Sequence, residues 1–313
     1  MTRVGTHAVS RIRTLTPADD LGAVFAALAG VDPKWRADVG VPEPVDGWIR
    51  GDDFRDATRG PFQALLARMA ARTKTADRMT LAASFALRFG WAGAIAIAPY
   101  LTHRCVPHVP LDNVSIKFRE TTLFERTALH VAHGWRESSD VTSGGARDDA
   151  DHDTDHDTNH DTGNDASGGP LLQGPLLQRL RDELQGQAEP VVRALYDWSG
   201  FSVKGSWGMI TSSWAAQFIT VCERLGGQAL AAPIMEAFFA GTDDVARMQP
   251  RTHPVSMQGV THLYQRRASC CRYYLLPQGD LCASCPLVSH EERLSRNTEF
   301  MAKQLARASV ASV

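Results

Sequence analysis

The sequence predicts an α+β protein: a mainly helical core with a small β element, ending in a cysteine-bearing loop and a final helix. Three observations predict it. Long stretches repeat apolar residues at helical spacing, one shorter stretch alternates as a strand does, and four of the six cysteines fall within residues 270–285, just before a helix-capping pattern. A chain of 313 residues holds one large domain or two ordinary ones. It reads as an N-terminal helical and small β part over 1–136, an insertion over 137–170, a helical part over 171–257 and a C-terminal cysteine-bearing segment over 258–313.

Residues 54–73 carry apolar residues at helical spacing. Residues 78–101 do the same and are almost continuously apolar, which predicts a central helix. Pro99, Pro107 and Pro110 punctuate the end of that stretch and the residues after it. Over 111–120, Val114, Ile116 and Phe118 alternate with polar residues, as in a half-buried strand. Residues 123–133 fit a second strand or a short helix. Residues 137–169 break the pattern: the run 148–169 is a near-tetrapeptide repeat of Asp, His and Thr with almost nothing apolar, so disorder is expected. His152, His156 and His160 recur within it among carboxylates, a pattern of weak divalent-metal binding or, more simply, of a solvated repeat. Residues 171–198 suggest two helices broken near Gly186 and Pro190. A long apolar helix is expected over 205–225, another over 227–240 with Pro233 as a kink or start, and a last one over 289–308. Ser289 and Glu292 form a capping box for the last helix, and Lys303 and Arg307 fall near its expected end. Each half of the chain has an amphipathic helix, a small-residue-rich apolar helix and a Pro-marked break, a weak hint of duplication.

A formal net charge of −2 offers no global signature for nucleic acid. The N-terminal residues have no apolar run, so no secretory signal is expected. The stretch 90–101 alone is too short to span a bilayer, so no transmembrane segment is expected and the location expected is cytoplasmic. That compartment disfavours structural disulfides. Cys105 and Cys222, isolated on apolar segments, are expected as small core residues.

The other four cysteines are Cys270 and Cys271, then, after ten residues, Cys282 and Cys285. The Cys282-x-x-Cys285 spacing lets two thiolates chelate one metal. Cys270 and Cys271 are adjacent, and in extended backbone their side chains diverge, which suits one small tetrahedral ion poorly. Two bridged irons tolerate a wider spread of ligand directions, so a [2Fe-2S] cluster fits better than zinc, and the loop is read as cluster-binding. Spacing does not say which cysteines share an iron. Arg266, Arg267 and Arg272 flank the first pair, placed to offset an anionic cluster or to dock a partner. The last helix begins a few residues after Cys285, where its positive end favours negative charge. The alternatives are a surface zinc knuckle, with the arginines as ordinary solvated charges, and a vicinal disulfide between Cys270 and Cys271.

At these residues the chain resembles the FhuF-like ferric-siderophore reductase family, whose hallmark is the same Cys-Cys, ten residues, Cys-x-x-Cys arrangement. Arg266-Arg267, Tyr273-Tyr274, the Pro277-x-Gly279 turn and Cys285-Pro286-Leu287 are similar too, and the likeness covers about the last fifty residues. The helix upstream, with Trp207 and Trp214, is similar in placement. The insertion at 137–169 departs from the family. The resemblance implies a cytoplasmic oxidoreductase in which a [2Fe-2S] cluster on Cys270, Cys271, Cys282 and Cys285 passes single electrons to Fe³⁺ in an imported siderophore of hydroxamate type. The partners expected are the ferric siderophore, a separate ferredoxin or ferredoxin/NAD(P)H reductase as donor, and a peripheral contact with an importer. Neither a GxGxxG nor a P-loop is present. Trp198, Trp207, Trp214 and Tyr196 are candidates for the substrate dock, against the simpler reading of Trp207 and Trp214 as core. His262 and His290 flank the window as candidates for proton-coupled transfer or ligand replacement. The competing functions are a zinc-stabilised interaction protein and a siderophore-biosynthesis protein.

Overall fold

The computed structural model describes residues 12–16, 19–43, 47–138, 172–243 and 246–311, with side chains to 307. The repeat carrying His152, His156 and His160 lies outside the described residues. The fold is α+β, as expected. Three sheets are present among the described residues, more β structure than the sequence suggested.

The first sheet has the antiparallel order β1 (Ile12–Thr14), β7 (Gly134–Glu137), β4 (Cys105–Pro107). The second has the order β2 (Ala37–Val39), β6 (Phe124–Leu129), β5 (Val114–Phe118), β3 (Trp48–Arg50), with only the β2–β6 pair parallel. The alternation of Val114, Ile116 and Phe118 is thus a strand, and the ambiguous 123–133 resolves as its antiparallel partner. The third sheet is the hairpin β8 (Arg251–Met257) and β9 (Val260–Arg266). Gln258 and Gly259 close it with φ of 52° and 77°, the positive pair that a two-residue hairpin turn needs.

The helices are α1 (Leu21–Val31), α2 (Gly60–Thr73), α3 (Arg78–Phe89), α4 (Ala94–His103), α5 (Pro175–Ser199), α6 (Val203–Arg224), α7 (Ala231–Ala240) and α8 (His290–Ala311). α2 starts later than expected because Pro61 opens its first turn, and residues 51–55 form a short 3-10 turn. The Gly186–Pro190 break does not occur. Both residues sit on the outer side of one continuous α5, whose inner face buries Leu184, Ala188, Val191 and Leu195. That packing outweighs the lost Pro190 hydrogen bond. The central apolar stretch instead breaks into α3 and α4 at a 3-10 turn over Gly90–Gly93. The reason is space, since a Cβ on Gly90 would lie 2.7 Å from Ser213 Cβ and 2.8 Å from Ile210 O, both on α6. By length and composition Arg78–His103 is able to cross a membrane, yet 78% of its apolar window is buried inside the protein, as befits a core.

α6 is the hub. Its residues are buried almost all round, and α3, α4, α5, α7 and β9 pack on it. Buried apolar residues from Leu21 to Ala246 form one cluster. Trp207 and Trp214 belong to it with rings 6.1 Å apart, so the core reading of these tryptophans holds. Cys105 and Cys222 are also buried there, and burial pushes the Cys222 thiol up to about 11, so neither thiol is reactive at neutral pH. The last helix runs on to Ala311, which puts Lys303 in its interior, ion-paired with Glu299 at 2.6 Å.

Two glycines on α-helical backbone separate packing from propensity. Gly90→Ala inserts a methyl group where α6 leaves no room and is expected to cost about 1–3 kcal/mol. Gly186→Ala meets nothing within 4 Å and is expected to stabilise by about 0.5–1 kcal/mol. Urea midpoints moving in opposite directions check this, and a Gly90→Ala protein as stable as wild type contradicts the packing account.

Candidate functional site

The third sheet feeds the cysteine loop directly, because β9 ends at Arg266 and Cys270 comes four residues later. The loop lies against a small-residue face of α6. Ala268 N donates to Ser212 Oγ at 3.2 Å, and a Cβ on Gly208 would lie 2.7 Å from Ser269 Cβ. Only glycine at 208 lets the loop approach this closely.

Arg267 organises the thiols. Its side chain is only 7% exposed. Nε donates to Ser284 Oγ at 3.0 Å, the backbone N donates to Ser284 O at 2.8 Å, and Nη2 donates to Cys282 Sγ. Burial works to lower the guanidinium pKa, but the Cys271 and Cys282 sulfurs, by charge and hydrogen bond, carry it above its ordinary range. The other two thiols meet on their own. Cys270 Sγ and Cys285 Sγ are 3.9 Å apart, and Arg272 N donates to Cys270 Sγ at 3.4 Å. Two thiolates on one tetrahedral metal with bonds near 2.3 Å lie about 3.8 Å apart, so this pair already has a ligating separation. Burial pushes the Cys270 thiol up to about 11 against the Arg272 N–H.

Around this centre the loop is held from three sides. Cys285 N donates to Cys282 O at 2.9 Å, which folds the C-x-x-C turn. From α8, the buried Arg293 donates to Cys285 O at 3.0 Å and to Val288 O, while Arg296 donates to Leu281 O. Half of the expected capping box forms: Glu292 N donates to Ser289 Oγ at 3.1 Å, while the Glu292 carboxylate takes Arg296. From α3, Asp77 and Thr80 take Arg272: Nη2 to Asp77 Oδ2 and Nε to Thr80 Oγ1, each 3.2 Å. Arg272 itself stands in left-handed backbone at φ 57°.

Of the three arginines singled out in the sequence, only Arg267 hydrogen-bonds a thiol through its side chain. Arg266 reaches Pro286 O at 3.0 Å, and Arg272 is the strap to α3. The role of Arg293 was not legible beforehand. Its signal is a buried arginine in the first turn of a helix that starts soon after the last cysteine. His262 is committed to Glu223 on α6, and His290 faces His253 with ring centroids 6.0 Å apart. Trp198 is near the Arg272 strap through Arg78, whose guanidinium lies 5.4 Å from the indole centroid, and Tyr196 is exposed.

Among the described residues, no three His, Cys, Asp or Glu side chains gather closely enough to hold one metal ion. Cys270 and Cys285 meet sulfur to sulfur, and Cys271 and Cys282 both act on Arg267. Four loop thiols with a buried cation beside two of them fit a two-iron, four-thiolate group better than a single ion.

Residues 267–287 match the family model of the FhuF 2Fe-2S C-terminal domain. The match takes in all four clustered cysteines and agrees with the [2Fe-2S] cofactor expected from them. No curated protein matches the chain.

The strap to α3 is testable without the cofactor. The Thr80 hydroxyl and then Arg272 hold the Asp77 carboxyl below the usual carboxylate range, against burial. Asp77 therefore contributes fully above its ordinary pKa of about 3.9, and the contribution is lost as pH falls through the lower folded value. Asp77 also caps α3, with Met79 N donating to its Oδ1 at 3.1 Å. Asp77→Ala is expected to cost about 0.5–2 kcal/mol and to speed amide exchange over 272–276. Unchanged exchange there would show that the strap does not hold the loop.

Proposed function

We propose that this chain is a cytoplasmic ferric-siderophore reductase, with Cys270, Cys271, Cys282 and Cys285 as the ligands of a [2Fe-2S] cluster. One observation carries the reading: a buried arginine held against two of the four loop thiols, Cys271 and Cys282, in a segment that matches a 2Fe-2S domain. We assign Cys270 and Cys285 to one iron, from their 3.9 Å separation, and Cys271 and Cys282 to the other. Bound there, such a cluster supplies a one-electron donor of low potential, down to roughly −400 mV in plant-type ferredoxins.

The substrate's own chemistry needs little else. Hydroxamate oxygens are hard donors that hold Fe³⁺ far more tightly than Fe²⁺, so one electron loosens the chelate and ligand exchange releases the metal. No general base or nucleophile is required of the protein. Its residues hold and tune. Arg267, itself buried, places positive charge against the thiolates, where it counts for more than a charge on exposed surface. Arg293 and Arg296 fix the Cys282–Cys285 turn to α8, and Arg272 fixes the Cys270–Cys271 end to α3. The electron enters from a separate ferredoxin or ferredoxin/NAD(P)H reductase, and each electron accepted is one passed to Fe³⁺. Tyr273, Tyr274, Leu275 and Leu287 form an exposed rim around the loop on which such a donor or an importer has room to dock.

Anaerobic reduced protein mixed with a ferric trihydroxamate and a ferrous-specific chelator is expected to release Fe²⁺ in proportion to the electrons supplied. No release from protein that carries iron and sulfide would overturn the reductase reading. Cys282→Ser is expected to lose iron and sulfide while Cys222→Ser keeps both, and equal contents would contradict the ligand assignment. Arg267→Gln removes a cation beside an anionic group, so the midpoint potential is expected to fall by about 50–100 mV, near 1–2 kcal/mol for one electron. An unchanged potential in a fully loaded variant would deny Arg267 its tuning role.

A further inference from the structure

One surface helix has the composition of a buried one. α1 reads LGAVFAALAGV, without a single polar side chain. Leu21, Val24, Phe25 and Leu28 take its core side. Its outer side is Gly22, Ala23, Ala26, Ala27, Gly30 and Val31, and all six are exposed. Surface helices ordinarily turn charged or polar residues outward, and a helix apolar all round belongs in an interior. Among the described residues nothing covers this side.

β2 lies beside α1 and is also incomplete. It ends the second sheet, so among the described residues no strand flanks its outer edge. Gly40 N donates inward to Leu129 O at 2.7 Å. Backbone groups alternate in direction along a strand, which turns the N–H and C=O of Ala37 and Val39 outward. Val39 on this edge is 48% exposed and Val41 just beyond it 59%. A groove of about 490 Å³ lies between the two elements, with Gly22, Ala26 and Ala29 on the α1 wall and residues 36–39 on the other.

Unpaired strand backbone selects another strand over lipid, because hydrocarbon offers it no hydrogen bond. Charge selects which strand. Arg36 Nε and Asp38 Oδ1 pair at 3.2 Å, and Arg126 Nη1 adds a contact of 3.3 Å to Asp38 Oδ2. Edge strands are commonly guarded by like charges that repel a second copy, and an Arg beside an Asp gives no such repulsion. About a two-fold axis through Ala37, an antiparallel copy of β2 sets Arg36 of each chain opposite Asp38 of the other, the spacing at which opposite charges support a sheet. Ala37 N–H and C=O of the two chains then exchange hydrogen bonds. The axis also brings the outer side of α1 toward its own copy, where glycine and alanine allow two helices to pack closely. We propose that this face is the interface of a symmetric dimer, in which two β2 edges join and the two four-stranded sheets continue as one. The interface contains none of the loop cysteines and does not rest on the reductase reading.

Light scattering of the full chain at micromolar concentration is expected to give twice the mass of one chain. Ala26→Glu places a charge on the outer side of α1, and Val39→Lys places one on the β2 edge. Both positions are exposed in the single chain, so both variants are expected to keep the wild-type circular dichroism. By analytical ultracentrifugation the dimer dissociation constant is expected to rise about tenfold or more in each. Arg36→Glu faces Asp38 across the axis and is expected to weaken the dimer most at low salt. Leu275→Lys, on exposed surface at the cysteine loop, is expected to dimerise as wild type. A monomeric wild type overturns the proposal. If that monomer floats with phosphatidylglycerol vesicles and Ala26→Glu does not, the face is a membrane contact instead. A dimer that survives both Ala26→Glu and Val39→Lys has its interface elsewhere and overturns the proposal equally.

Discussion

A buried guanidinium sets the terms for the C-terminal end of this protein. Arg267 is almost wholly removed from water, and its charge is answered by Ser284 and by sulfur rather than by a carboxylate. A buried cation is costly unless something negative faces it. Neutral thiols are weak acceptors, whereas thiolates bound to a metal group carry the missing charge. The same arginine ties β9 to the C-x-x-C turn through two bonds to Ser284, so fold and electrostatics meet in one residue. The chemistry proposed for the loop derives from that pairing: a site built around a buried positive charge holds an anionic group.

The rest of the fold supplies a rigid seat. α6 runs through the single core and offers the loop a face made of Gly208 and Ser212, small enough for backbone to lie on it. The two ends of the loop are then fastened to different parts of the chain. Asp77 and Thr80 of α3 hold the Cys270–Cys271 end, and Arg293 and Arg296 of α8 hold the Cys282–Cys285 end. Contacts from residues far apart in sequence thus bring four thiols into one place, which explains why the site sits on an otherwise complete globular core.

Much of this was readable in the sequence where a pattern is periodic or dense. Val114, Ile116 and Phe118 announced their strand, Ser289 and Glu292 their cap, and the cysteine window its chemistry. What escaped was set by tertiary contact. Strands β1 to β4 and β7 have three or four residues each, too short to show alternation. Pro190 reads as a breaker, yet α5 continues because its buried face is packed on both sides of that residue. Gly90 reads as one more small residue in an apolar run, and it breaks the helix because α6 passes against it. At the site, Arg266, Arg267 and Arg272 look alike in the sequence. Only the fold separates the one that bonds the thiols through its side chain from the two that act as straps.

The central claim is that the four loop thiols hold a two-iron cluster. Electron paramagnetic resonance of the anaerobically reduced protein, with iron and sulfide assayed on the same sample, tests it most directly. The account predicts red-brown protein with iron and sulfide in equal amounts and a spin-one-half signal that appears on reduction. Colourless protein, silent when reduced and carrying zinc in place of iron, would contradict it.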